Sequence, residues 1–403
     1  MRASATSGLL LLTALGAATA AMADGKAYVG NFKDDTVSVI DVRTATVTAT
    51  VPVAAGPHGM AVSADGATVF VTGDNSSSMS VIDTATDRVT STIDVGKSPH
   101  GVALTPDGRT LLVGAYGDDR VKLIDVGSRR VVGEVPVAKP HTIAVRPDGR
   151  AAYVASQEPG KFALVVLDLD KRAPIKSIAL DKPPRDLEFG ADGSALYFTQ
   201  AGINAIQVLD PATDKIVGEI VTGISPHLAT VFKGASVGTA VVQGPGELML
   251  FDPATRSKVK SVPVGKQPHW MASGDGQTIL VSNEGSNDVT LVDLVTGATR
   301  AVAVGNAPRK VVVQPAPRVA GASVSIANFA FAPAEIVVAP GQRVAWMNAD
   351  GAPHGIKFGD GASGIDPLLP GTQFARTFES AGTFDYVCSV HPYMTGRVVV
   401  RAP

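Results

Sequence analysis

An aspartate recurs at nearly constant spacing through most of the 403-residue chain. Asp41, Asp83, Asp125, Asp168, Asp210, Asp252 and Asp293 follow one another at intervals of 42, 42, 43, 42, 42 and 41 residues, each closing a short hydrophobic run. A second marker keeps the same period, a proline followed by a basic residue. It occurs as Pro57-His58, Pro99-His100, Pro140-His141, Pro184-Arg185, Pro226-His227, Pro268-His269 and Pro308-Arg309. Between the markers lie turn signals such as Pro106-Asp107-Gly108 and Pro147-Asp148-Gly149. Gly (42) and Pro (27) are abundant, and Val, Ile and Thr recur in short runs, which favours short strands over helices. Each unit therefore predicts four strands: a buried one after the proline, one after the Asp-Gly turn, one ending at the marker aspartate, and an outer one. Four-stranded units at this period are propeller blades. The marker aspartates suit turn capping by their side chains.

The phase of the repeat predicts how the ring closes. The chain enters mid-repeat at Ala27-Tyr28-Val29 and leaves after Lys310 to Val313. One C-terminal and three N-terminal strands then complete a seventh blade, and no sheet edge stays open. Tyr28-Val29-Gly30-Asn31, Phe70-Val71-Thr72-Gly73 and Tyr153-Val154-Ala155-Ser156 make the units resemble the YVTN-type propeller repeat. That resemblance implies an all-β, seven-bladed β-propeller over residues 24–314 and says little about activity.

The remaining segments divide cleanly. Residues 1–23 read as a signal peptide, with Arg2, an uncharged apolar stretch from Gly8 to Ala18, and small residues at Ala21-Met22-Ala23. Residues 315–322 form a Pro-rich linker, and 323–403 a second all-β module. The expectation is an exported, periplasmic protein without a membrane span after signal cleavage. A net charge of −2 and no Lys/Arg run exclude an electrostatic case for nucleic acid. No motif for nucleophilic, phosphoryl-transfer or nucleotide chemistry is present. Cys388 is the single cysteine, so no internal disulfide forms, and a lone thiol in an oxidising compartment calls for an occupant such as a metal.

The second module ends in Tyr386-Val387-Cys388-Ser389-Val390-His391-Pro392-Tyr393-Met394, with His354 upstream after Trp346-Met347-Asn348. Two imidazoles, a thiolate and a thioether are the donor set of a trigonal copper site with a weak axial sulfur. The thiolate suits Cu(I) and the imidazoles also suit Cu(II), so both ions fit one geometry. The module resembles the cupredoxins, and its C-x-x-H-x-x-M loop is similar to that of amicyanin. The resemblance implies a cupredoxin β-sandwich holding one type 1 (blue) copper, with His354, Cys388 and His391 equatorial and Met394 axial. It departs from many cupredoxins at Gly355, where they place an asparagine that ties the ligand loops together. Pro353, Pro392, Met394 and the Leu368-Leu369 pair are expected to form an apolar docking patch around His391, with packing inside the small module an equal alternative for the leucine pair.

The other five histidines all occupy one repeat position. His58, His100, His141, His227 and His269, with Arg185 and Arg309, are expected to encircle one mouth of the propeller channel. Three readings stay open for this ring: a by-product of duplication, a second metal centre, or a pocket for an anion. The leading functional expectation is a periplasmic copper electron carrier that serves a redox partner protein, with the propeller as docking or positioning scaffold. The alternatives are a copper-dependent oxidoreductase using the ring, and periplasmic copper storage or delivery.

Overall fold

The computed structural model describes residues 25–314, 322–340, 342–362 and 364–401. The predicted signal segment and most of the linker lie outside them. The chain separates into two units, Met1–Pro317 and Arg318–Pro403. The protein is all-β: a seven-bladed propeller followed by a cupredoxin sandwich.

Seven four-stranded antiparallel sheets make up the first unit. Blades one to six begin at the inner strands Pro57–Val62, Pro99–Leu104, Pro140–Val145, Pro184–Phe189, Pro226–Thr230 and Pro268–Ala272. Blade seven pairs the inner strand Pro308–Val313 with Lys26–Asn31, followed outward by Thr36–Asp41 and Thr46–Pro52. Polar contacts reinforce that closure. The Asp34 carboxylate accepts from the Asn306 backbone N–H (2.6 Å) and side-chain amide (2.8 Å), and the Phe32 N–H donates to Ala307 O (3.0 Å).

Burial follows from the order of the strands. Second and third strands are almost wholly buried, as in Thr68–Gly73 and Ser78–Asp83, whereas outer strands such as Thr46–Pro52 are mostly exposed. Apolar side chains from neighbouring blades interlock in sectors. Phe70, Met79 and Val81 of blade one, for example, pack with Leu111, Val113 and Ile124 of blade two. The marker aspartates cap the turn that follows them: Asp41 accepts from Thr44 N–H (2.7 Å), Asp125 from Ser128 N–H (2.7 Å) and Asp168 from Lys171 N–H (2.8 Å).

The basic residue after each proline stands at one end of its inner strand, so the seven share one mouth of the channel. The backbone just before the proline is left-handed at Gly56, Ser98, Lys139, Ser225, Gln267 and Ala307. Hydroxyls tie ring positions to the preceding blade: Thr72 Oγ1 donates to His100 O (2.9 Å), Thr199 Oγ1 to His227 O (2.8 Å), and Ser282 Oγ to Arg309 O. Burial pushes His58, His100, His141 and His269 below the ordinary imidazole range, and at His58 and His100 the next-largest cause is a neighbouring ring histidine.

The second unit packs two sheets face to face. One contains Ala330–Ala332, Ser323–Ala327, Gln342–Asn348 and Gln373–Phe378; the other Glu335–Val338, Thr395–Val400, Gly382–Val387, His354–Phe358 and Ile365–Leu368. Trp346 lies fully buried between them, its ring 5.2 Å from Tyr386 and 5.6 Å from Phe358. Cys388 and Met394 belong to the same core.

Acid should destabilise the propeller through the ring. In the unfolded chain these imidazoles take protons near pH 6.5, which the native state refuses. Stability is therefore expected to fall as pH drops below about 6.5, by up to about 1.4 kcal/mol per pH unit for each such histidine. Urea midpoints between pH 8 and 5.5 measure this, and His58→Gln should flatten the slope. A midpoint that rises on acidification would show the imidazoles to be charged in the fold.

Candidate metal centre

Antiparallel pairing of His354–Phe358 with Gly382–Val387 sets Lys357 opposite Val387 and Phe358 opposite Tyr386, bringing His354 beside Cys388. Cys388 follows directly on its strand, and the loop after it is closed by its own backbone. The Cys388 N–H donates to Met394 O (3.0 Å) and the Met394 N–H to His391 O (2.9 Å). Spacing by threes thus becomes a compact turn that returns His391 to the sulfur and the Met394 backbone to Cys388.

The structure brings three of the four expected donors to one point. Cys388 Sγ lies 3.7 Å from His354 Nδ1 and 3.8 Å from His391 Nδ1, and the two Nδ1 atoms are 3.3 Å apart. A triangle of those sides has its centre about 2 Å from each corner, the length of a metal–imidazole bond. Met394 is buried in the same core at the end of the loop. Cys388 and His354 are fully buried and His391 is half-buried. The sulfur accepts backbone N–H groups from Gly355 (3.4 Å) and His391 (3.3 Å).

The far side of His354 explains its orientation. Its Nε2 stands 2.9 Å from Asp350 Oδ2, which places the ring proton on Nε2 and leaves the Nδ1 lone pair facing the sulfur. Asp350 also accepts from the N–H groups of Asn328 (2.6 Å) and Phe329 (2.9 Å). The Phe329 N–H first, then those of Asn328 and the His354 ring, hold the Asp350 carboxyl below the usual carboxylate range. Held by this carboxylate, the Phe329 ring covers both imidazoles edge-on, with centroids 5.4 Å from His354 and 5.0 Å from His391. Asn348 supports the same loop: its amide donates to Ala352 O and Leu368 O, both at 2.9 Å. A lone pair, a second imidazole nitrogen and a sulfur meeting in a buried space fit a soft or borderline cation.

The structure revises several expectations around this centre. Leu368 is fully buried in the core, where a 0 % exposed side chain offers no docking surface, whereas Leu369 is 53 % exposed. Met394 is buried too. The exposed apolar residues near the loop are instead Phe329, Val390 and Tyr393, the last 70 % exposed. Phe329 and Asp350 were not singled out from sequence; the position of Asp350, four residues before a ligand-type histidine, is a signal for the carboxylate alone. A Cβ at Gly355 would meet Ser389 Oγ, so a larger residue there needs the serine hydroxyl to turn away. The ligand loops are joined instead through the Gly355 N–H to sulfur contact.

In the propeller, the metal-centre reading of the histidine ring lacks support. Among the described residues, His354, Cys388 and His391 form the one group of three or more such side chains with mutually close ligand atoms. The ring histidines stack rather than converge: centroids are 3.8 Å apart for His58 and His100, 3.9 Å for His100 and His141, and 4.1 Å for His227 and His269. The guanidiniums have partners as well. Arg309 stacks 3.5 Å over Phe32 and bonds Glu284 (3.3 Å), and Arg185 reaches Ser225 Oγ (3.4 Å).

Comparison with known proteins agrees with both halves. Residues 6–106 match the family described as YNCE-like beta-propeller, and residues 319–401 the copper binding proteins of the plastocyanin/azurin family. Amicyanin-alpha of Methylorubrum extorquens is 37 % identical over 111 residues, which span 26 % of this chain and 88 % of that protein. Amicyanin of Paracoccus denitrificans is 37 % identical over 83 residues, 19 % of this chain and 63 % of its own length. For the fold alone, hydrazine synthase of Kuenenia stuttgartiensis aligns with TM-score 0.61 at 19 % identity, over 71 % of this chain and 99 % of that one. Apo AztD from Citrobacter koseri aligns with TM-score 0.57 at 16 % identity, over 72 % and 97 %. The chain belongs, through its C-terminal domain, to the plastocyanin/azurin family of copper-binding proteins, and carries that domain behind a YncE-like propeller.

Proposed function

We propose that the chain is an exported one-electron carrier whose C-terminal domain holds a single type 1 copper between His354, Cys388, His391 and Met394. The observation that carries this reading is the preformed triangle of Cys388 Sγ and two Nδ1 atoms, 3.3 to 3.8 Å on a side. Copper held there would supply one-electron exchange between Cu(I) and Cu(II). The chain's own residues keep the donors fixed during that exchange. The Gly355 and His391 N–H groups hold the sulfur, Asp350 holds the His354 ring, and Phe329 shields both imidazoles from water. A site that does not rearrange imposes little reorganisation on electron transfer. This rigidity favours a carrier over copper storage or delivery, which needs a route for release.

His391 is the donor nearest solvent, and Phe329, Val390 and Tyr393 surround its loop with exposed apolar surface. A redox partner protein docks on that surface in this reading. Export rests on the signal-like sequence of residues 1–23, and among the described residues no helix is long and apolar enough to cross a membrane.

Copper-loaded, chemically oxidised protein should show an intense blue band that bleaches on reduction and is absent from Cys388→Ser. A colourless wild-type protein would reject the type 1 assignment. Asp350→Asn removes a negative charge from the His354 ring while keeping a polar partner. It should shift the couple toward Cu(I) by about tenfold, ~59 mV for one electron, measured by redox titration. An unchanged potential would confine Asp350 to holding the Asn328–Phe329 turn.

A further inference from the structure

We propose that the propeller channel, at the end opposite the histidine ring, is a binding site for a small amphipathic organic anion whose acidic group is held by Lys310. A cavity of about 490 Å³ opens there, lined by the ends of the inner strands, and its volume suits a small-molecule site. Apolar side chains supply part of its wall, Met60, Leu104, Phe189, Phe232 and Met271 among them, beside a larger share of polar surface. Lys310 and Glu188 lie in its lining, and Lys233 also borders it.

The repeat supplies an internal comparison for these residues. Lys310 is the third residue of its inner strand, a place taken by Gly59 and Gly101 in blades one and two. Glu188 is the fifth, where Ala61, Ala103, Ala144 and Ala272 stand in four other blades. The blade itself needs neither charge, and enclosing each one costs desolvation energy. Blades four and seven are three steps apart in a ring of seven, so these two groups approach the channel from opposite sides. Burial depresses the Lys310 ammonium to about 8, opposed by the charges of Glu188 and Asp186. The ammonium is also fixed in place, its Nζ 3.2 Å from the centroid of the Trp270 ring.

An anion fits this balance better than a cation. The Asp186 carboxylate faces a ring histidine, its Oδ2 2.6 Å from His227 Nδ1. Burial raises Glu188 above the usual carboxylate range, towards the form that donates a hydrogen bond. A carboxylate at the floor therefore meets the Lys310 ammonium and the Glu188 carboxyl group, while a hydrocarbon body lies against the walls.

Calorimetric titration of the full-length protein with octanoate, octanol and octylamine tests this. Octanoate should bind at least tenfold tighter than octanol, with octylamine weaker than either, and should quench Trp270 fluorescence in a way that Trp270→Phe removes. Lys310→Met should lose at least tenfold in octanoate affinity, while Lys310→Arg retains it. Equal binding of octanoate and octanol, preference for octylamine, no binding at all, or octanoate binding unchanged in Lys310→Met would each overturn the proposal. The ligand comparison on the native protein stands even if Lys310→Met fails to fold.

Discussion

A four-stranded sheet with apolar side chains on both faces has no stable existence in water by itself. Every blade of this propeller is such a sheet, and everything else in the first unit follows from the need to cover both of its faces. Phe70 and Val81 are buried because blade two stands against blade one, and the same relation recurs around the ring. The hydroxyls of Thr72, Thr199 and Ser282, each bonded to the next blade's carbonyl, satisfy backbone groups that the tilt between sheets would otherwise strand. A linear stack would leave two faces bare; a ring of seven leaves none.

The second unit solves a different problem, holding two imidazole nitrogens and a sulfur close together without letting them collapse. Asp350 is central to that solution. One carboxylate orients the buried histidine, fixes the turn that carries Phe329, and through Phe329 limits water access to both rings. Remote loops are thereby made parts of one rigid body around the donors, the kind of outer support that tunes metal sites in general.

Much of this was legible in the sequence because it is periodic or local. The 42-residue spacing of Asp41 to Asp293 announces blades, and Cys388, His391 and Met394 announce a ligand loop within seven residues. What escaped is tertiary. Phe329 lies 25 positions before His354, and no local pattern predicts that it would cover two imidazoles. Leu368 and Leu369 are indistinguishable as letters, yet the first ends a strand against the core and the second lies exposed just past it. The histidine ring was visible as a list of equivalent positions. Its side chains stack because successive blades are rotated by a constant angle, a geometry that sequence spacing does not encode. Lys310 and Glu188 likewise stand out only once the fold shows which repeat positions border the cavity.

Closure of blade seven carries a consequence for how the protein comes into being. The inner strand Pro308–Val313 pairs with Lys26–Asn31, and Asn306 is bonded to Asp34, 272 residues away. A chain emerging from the ribosome therefore holds an incomplete blade, with an exposed strand edge, until nearly three hundred residues have been made. The last propeller strand acts as a latch, and contacts this remote in sequence form late. Once the latch has closed, neither end of the propeller can fray alone.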